Sequence, residues 1–181
     1  NNEQVLLSVE KIPPHYFLNL LGNHNNSSNL DLEEIARLSK VLQDALYYKQ
    51  KLSNVLITEL KLGWFCLLSS LTAKRVYGLG IDAKKINDLE KVYKYLGLSN
   101  IFLKKSFNYC DWNKVAPFDL IIHLKSLNSV PTSFIEILSK DGSLFFTKEN
   151  KKKSSIIRFN KSKKYQKVKI DEFFLSENTM L

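Results

Sequence analysis

The chain has 181 residues, 44% hydrophobic and 12% aromatic, which fits one domain with a real core and excludes a disordered tail. No apolar run reaches the roughly 18 to 20 residues of a membrane span; the longest candidate, 62–71, is short and carries Ser69 and Ser70. The net charge of +9 is local: Lys140 to Lys169 holds 11 Lys/Arg against 2 Asp/Glu, and the rest of the chain has 16 of each.

In chain order, Val5, Leu6, Val9 and Ile12 have helical spacing, and Pro13-Pro14 stops the run. A turn-rich loop, 22–29, follows. Asp31 is placed to cap a helix whose apolar face is Ile35, Leu38, Leu42, Ala45 and Leu46. The pattern then alternates. Strands are expected at 55–57, 75–79, 100–103 and 118–122, with helices at 63–71 and 83–96 between them. Pro131 opens a helix through Leu138, and Asp141-Gly142 makes the turn into a strand at 143–147. Strands at this spacing imply crossover units and a parallel sheet. The ending differs: 154–159 and 165–170 read as an antiparallel hairpin with a short polar link. The whole is read as one domain, 1–181, with an N-terminal helical segment (1–52), an α/β core (53–147) and a basic hairpin and tail (148–181).

Cys66 and Cys110 make no disulfide framework, and the scattered His15, His24 and His123 have no metal-ligand spacing. Reduced thiols and no visible signal peptide point to a cytoplasmic protein without a structural metal. His123 ends an apolar strand and reads as a hydrogen-bonded core residue. Tyr109 and Trp112 read as a packed loop cover.

Several segments carry a family resemblance. Lys11-Ile-Pro-Pro-His-Tyr-Phe-Leu18 is similar to "V-P-R-x-x-F-V". Asn54-Val-Leu-Ile-Thr-Glu-Leu-Lys-Leu-Gly-Trp64 falls where "V-L-E-I-G-x-G-x-G-Y" is expected. Val115-Ala-Pro-Phe-Asp-Leu-Ile-Ile122 closely resembles "A-P-F-D-x-I-I", and Phe134 to Leu144 resembles "L-x-x-Q-L-K-x-G-G-x-L". These are segments of the protein-L-isoaspartate O-methyltransferases. From about Ile12 onward the chain resembles a divergent, bacterial-type member of that family. The resemblance implies a Rossmann-like methyltransferase fold, a mostly parallel doubly wound sheet with a C-terminal hairpin. It also implies S-adenosylmethionine as cofactor and a protein or peptide as partner.

The site positions depart from that pattern. The three loop glycines fall on Glu59, Lys61 and Gly63, and only Gly63 remains. Side chains at 59 and 61 enter space where backbone should approach the ligand closely. Gly80 stands where a carboxylate normally holds the ribose, with Asp82 two residues on. The adenine-facing acid is missing near Lys105-Ser106-Phe107, and Asp31 replaces a serine near the acceptor segment. Glu59, Gly80, Asp82, Ser106 and Phe107, with Gly63, form the expected relic pocket, with no catalytic residue assigned. Trp64 and Phe65 are expected to begin a helix and fill the vacated cleft.

These losses favour a non-catalytic descendant serving as a binding or scaffold module. An active protein (isoaspartyl) O-methyltransferase with an atypical cofactor pocket remains the alternative. A lesser reading gives the basic hairpin, with Lys151, Lys152, Lys153, Lys161, Lys163 and Lys164, a nucleic acid or acidic partner.

Overall fold

Pro14 lacks the N–H that a first helical turn leaves unpaired anyway, and helix α1 (Pro14–Leu20) begins there. Pro13-Pro14 thus ends one helical stretch, at residues 10–11, and starts another. The computed structural model describes residues 10–21, 32–49, 51–60, 63–150, 153–162 and 166–174. The 5–9 part of the expected first helix, and the Asp31 cap, lie outside the described residues.

The elements then run α2 (Leu32–Tyr48), β1 (Leu52–Ile57), α3 (Trp64–Ser70), β2 (Ala73–Gly80), α4 (Ala83–Tyr95) and β3 (Ile101–Lys105). A 3-10 helix (Tyr109–Val115) leads to β4 (Phe118–Ser126), α5 (Thr132–Ile137), β5 (Leu138–Asn150), β6 (Lys153–Asn160) and β7 (Gln166–Phe174). Seven strands form one sheet in the order β3-β2-β1-β4-β5-β6-β7. The first five pair in parallel, and β5-β6 and β6-β7 pair antiparallel. The sheet is mostly parallel, as the strand alternation implied, and the fold is the Rossmann-like methyltransferase type that the resemblance implied.

One boundary differs from expectation. Asp141-Gly142 makes no turn; both residues lie inside β5. Phe118 pairs with Leu138 but Leu120 pairs with Ser143, so β5 carries extra residues there as an irregularity in the ladder. The strand therefore starts earlier than sequence pattern suggests.

Each face of the sheet has its own core. On one face α2 buries Leu38, Val41, Leu42 and Leu46 against β1, α3 and Phe17 of α1. On the other, Phe118, Phe134, Phe146 and Phe159 cluster under α5 and the 3-10 helix, with Tyr109 and Trp112 packed on them. No described helix is long and apolar enough to cross a membrane.

The chain order reverses between β1 and β4: β2 lies on one side of β1 and β4 on the other. In open α/β sheets the crevice at such a switch, outside the carboxyl ends of the strands, is where ligands bind.

Candidate functional site

At that switch the crevice is tied across by the protein's own groups. Thr58 follows β1 directly. Its N–H donates to the Ile122 carbonyl at 3.0 Å, and its Oγ1 lies 2.7 Å from Nδ1 of His123. Glu59 then reaches Lys125, near the carboxyl end of β4, with Nζ to Oε1 at 2.8 Å. The hydrogen bond from Lys125 to Glu59 raises the lysine pKa. His123 is 1% exposed. Burial pushes its pKa down; Glu59 opposes this and Lys125 reinforces it. The ring is therefore a neutral core group at pH 7, edge-on to Tyr109 and close to Phe134, as the strand pattern suggested.

Leu60 continues the segment over β2. Its N–H donates to the Leu79 carbonyl at 3.2 Å, and its side chain is buried. A Cβ on Gly78 would stand 3.0 Å from Leu60 Cδ2, and one on Gly80 3.2 Å from Leu60 Cδ1. The missing carboxylate at the end of β2 and the filled loop after β1 are thus one packing arrangement. A side chain at 80 would press on Leu60.

Beside Leu60 a pocket of about 300 Å³ remains. Its apolar walls are Leu60, Leu79, Ile81 and Ile86; Thr58, Glu59, Asp82, Lys85 and Lys125 supply its polar groups. Asp82 caps α4, accepting the N–H groups of Lys84 (2.9 Å) and Lys85 (3.2 Å) on Oδ1. Burial lowers the pKa of Lys85, and Asp82 partly offsets that.

Of the residues expected at the site, Glu59, Gly80 and Asp82 line this pocket together. Gly63 does not. Its φ is −61°, which any residue adopts, so no left-handed turn requires glycine there. A Cβ would collide with Leu89 and stand 2.5 Å from Tyr93 Oη, which itself donates to the Gly63 carbonyl at 2.7 Å. The surviving glycine keeps α3 close to α4. Ser106 extends the β2–β3 ladder with an N–H to Gly80 O bond of 2.9 Å, and Phe107 is 79% exposed; neither lines the pocket. Lys61 lies outside the described residues.

Trp64 begins α3, as expected; it is fully buried, with Nε1 donating to the Ile12 carbonyl at 3.0 Å, and it does not line the pocket. Trp112 donates to Gly78 O at 3.4 Å and packs 5.0 Å from Tyr77. In the basic stretch, Lys161 Nζ donates to Leu138 O at 2.8 Å, joining the hairpin turn to the start of β5. Lys153 opens β6 and is exposed. Lys151, Lys152, Lys163 and Lys164 lie outside the described residues. No group of His, Cys, Asp and Glu among the described residues is arranged to hold a metal.

Sequence reasoning missed Leu60, Lys85 and Lys125. Lys125 was reachable: it lies two residues beyond His123, near the carboxyl end of the same strand.

S-adenosylmethionine does not fit these residues as a methyl donor held in this crevice. Close approach of backbone to ligand needs bare glycine, and here Glu59 and Leu60 bring side chains that are bonded or packed in place. The ribose-binding carboxylate is absent at Gly80, and the carboxylate two residues on, Asp82, is engaged in capping α4.

No protein-family profile matches the chain. It is 27% identical over 149 residues to Protein-L-isoaspartate O-methyltransferase 2 of Shewanella sediminis (strain HAW-EB3), covering 79% of this chain and 61% of that protein. The chain therefore spans about three fifths of the relative's length. Among solved structures, it is similar to a protein-L-isoaspartate O-methyltransferase from Plasmodium falciparum in complex with S-adenosyl-L-homocysteine. That match has a TM-score of 0.62, 16% identity and coverage of 77% of this chain and 72% of that one. A second protein-L-isoaspartate O-methyltransferase gives 0.61 at 14% identity, covering 78% and 47%. The N-methyltransferase NodS from Bradyrhizobium japonicum WM9 gives 0.54 at 17% identity, covering 74% and 71%.

Proposed function

For a chain that is a divergent member of the protein-L-isoaspartate O-methyltransferase family, we propose a non-catalytic role: a binding or scaffold module that has kept the fold and given up methyl transfer. One observation carries this reading. The segment after β1 is fastened across the switch crevice, Thr58 to Ile122 and His123, Glu59 to Lys125, Leu60 onto Gly78 and Gly80. Methyl transfer depends almost wholly on positioning, because the sulfonium is already activated. A crevice that cannot seat the donor forfeits that positioning. The framework persists because core packing on both faces does not use the site.

An active enzyme with an atypical pocket is the second reading, favoured by the pocket that Asp82 still lines. Calorimetric titration of the full chain with S-adenosylhomocysteine separates the two. The non-catalytic reading expects no heat at micromolar ligand. A micromolar dissociation constant would falsify it. A protein or peptide is the partner class that the family's substrates suggest.

A further inference from the structure

The sheet face under the 3-10 helix is covered unevenly. Residues in register on neighbouring strands share a face, and so do residues two apart along one strand. Arg75 and Tyr77 of β2 therefore lie on the same face as Phe102 and Lys104 of β3, with Tyr77 beside Phe102. Trp112 covers Tyr77, ring centroids 5.0 Å apart. Phe102 stacks on Tyr77 at 5.4 Å with 23° between the planes, yet it stays 41% exposed. β3 is the outermost strand, so no further strand brings a ring against the outer side of that stack.

The charge around the stack is one-sided. β1, β2, β3 and the 3-10 helix hold five cations (Lys74, Arg75, Lys104, Lys105 and Lys114) and one carboxylate, Asp111. Lys104 is committed: it pairs with Asp111 at 3.4 Å and lies 5.7 Å from the centre of the Trp112 ring. That pair cancels. The surplus on this face comes from Arg75 and Lys114, both exposed. They lie at one end of the rings. Asn54 pairs with Arg75 in register, and its amide donates to the carbonyl of Val115, next to Lys114.

We propose that this open face binds single-stranded nucleic acid, with Phe102 as the platform on which a base stacks and Arg75 and Lys114 beside its phosphates. Aromatic rings on an open sheet face take bases without reading their sequence, because every base has a π-face. Cations beside the rings attract the sugar-phosphate backbone. A protein partner's anchor side chain needs a pocket to fill, whereas Phe102 offers an open ring. The net charge of +9 favours a polyanion as well. None of these residues lines the pocket at the switch crevice, so the proposal is independent of the non-catalytic reading.

The test is fluorescence anisotropy on the full chain at ~50 mM salt, with a labelled oligothymidylate of about ten nucleotides, a duplex of the same length and oligoglutamate as competitor. The single strand should bind in the micromolar range, about tenfold tighter than the duplex, whose bases are already stacked inside. Phe102→Leu keeps the apolar bulk and removes the ring; it should weaken single-strand binding about fivefold or more, and Phe102→Tyr should hold it within about twofold. Arg75→Gln and Lys114→Gln should each lower the salt slope by about 0.7. Thermal melts check that each variant keeps the parent's fold, and the two exposed cations test the face even where Phe102→Leu lowers stability. No binding at about 0.1 mM protein, or a duplex bound as tightly as the single strand, overturns the proposal. So does a Phe102→Leu variant that binds like the parent, which is what the basic hairpin acting alone would give. Oligoglutamate that displaces the oligonucleotide at equal charge overturns it too, and hands the face to an acidic peptide.

Discussion

At the residue scale, Gly63 shows how one glycine can serve packing after its ligand role is gone. Leu89 and Tyr93 of α4 fill the space a Cβ would need, and the backbone there is ordinary. Gly63→Ala should therefore cost about 1–3 kcal/mol by overpacking, read as a lower midpoint in urea at unchanged slope. An alanine variant as stable as the parent would return the glycine to a ligand role. Sequence alone showed that glycines were missing around Gly63, because the missing residues sit in one short loop. It could not show what holds Gly63, because Leu89 and Tyr93 arrive from another helix. Lys85 was hidden for a similar reason: on a helix with many lysines, nothing local marks the one that faces a pocket. Glu59, Gly80 and Asp82 were legible because strand ends can be read from apolar runs, and sites gather at strand ends.

At the element scale, the two ends of β4 do different work. Its carboxyl end meets the crevice through His123 and Lys125. Its amino end carries Asp119, 8% exposed, which gathers three partners: Oδ1 takes Lys49 Nζ (2.6 Å) and Ser139 Oγ (3.0 Å), and Oδ2 takes the Ser53 N–H (2.7 Å). Burial alone pushes the Asp119 pKa up, but the hydrogen bonds from Lys49, Ser53 and Ser139 outweigh it and hold the pKa below the ordinary value. A depressed folded pKa stabilises the fold above the unfolded value of about 3.9, and that contribution is lost as pH falls through the folded pKa. Asp119→Asn should cost about 1–3 kcal/mol at pH 7. The gap between parent and variant should narrow below about pH 4, measured by denaturant titration at several pH values. A gap that stays constant into acid would remove the charge from the explanation. The strand itself was readable from its apolar run. The role of Asp119 was not, since its partners come from α2's end, β1 and β5. The start of β5 was misread for a local reason: Asp-Gly signals a turn, and an irregular ladder next to β4 absorbed it.

At the scale of the whole molecule, the charge that looked like a detached basic patch is partly spent on holding the sheet together. Arg158 of β6 is 6% exposed and pairs with Asp44 of α2 at 2.5 Å. Lys161 spends its ammonium on a β5 carbonyl. Composition records how many cations a stretch has, and only tertiary structure records which of them face inward. The β5–β7 part is therefore fastened twice, by ladder pairing to β4 and by an ion pair to a helix on the sheet's face. Asp44→Asn weakens a largely buried charge pair, an expected loss of about 3 kcal/mol. If the hairpin were an appendage, that loss would appear as a separate early transition confined to β6. Because β6 pairs with β5 along eight positions from Ser143 to Asn150, the loss should instead spread to the whole sheet. Thermal unfolding should stay a single transition at a lower midpoint. Amide exchange should rise in β4 and β5 together with β6. Early exchange limited to β6, with β4 protection intact, would show that the basic arm is separable from the core.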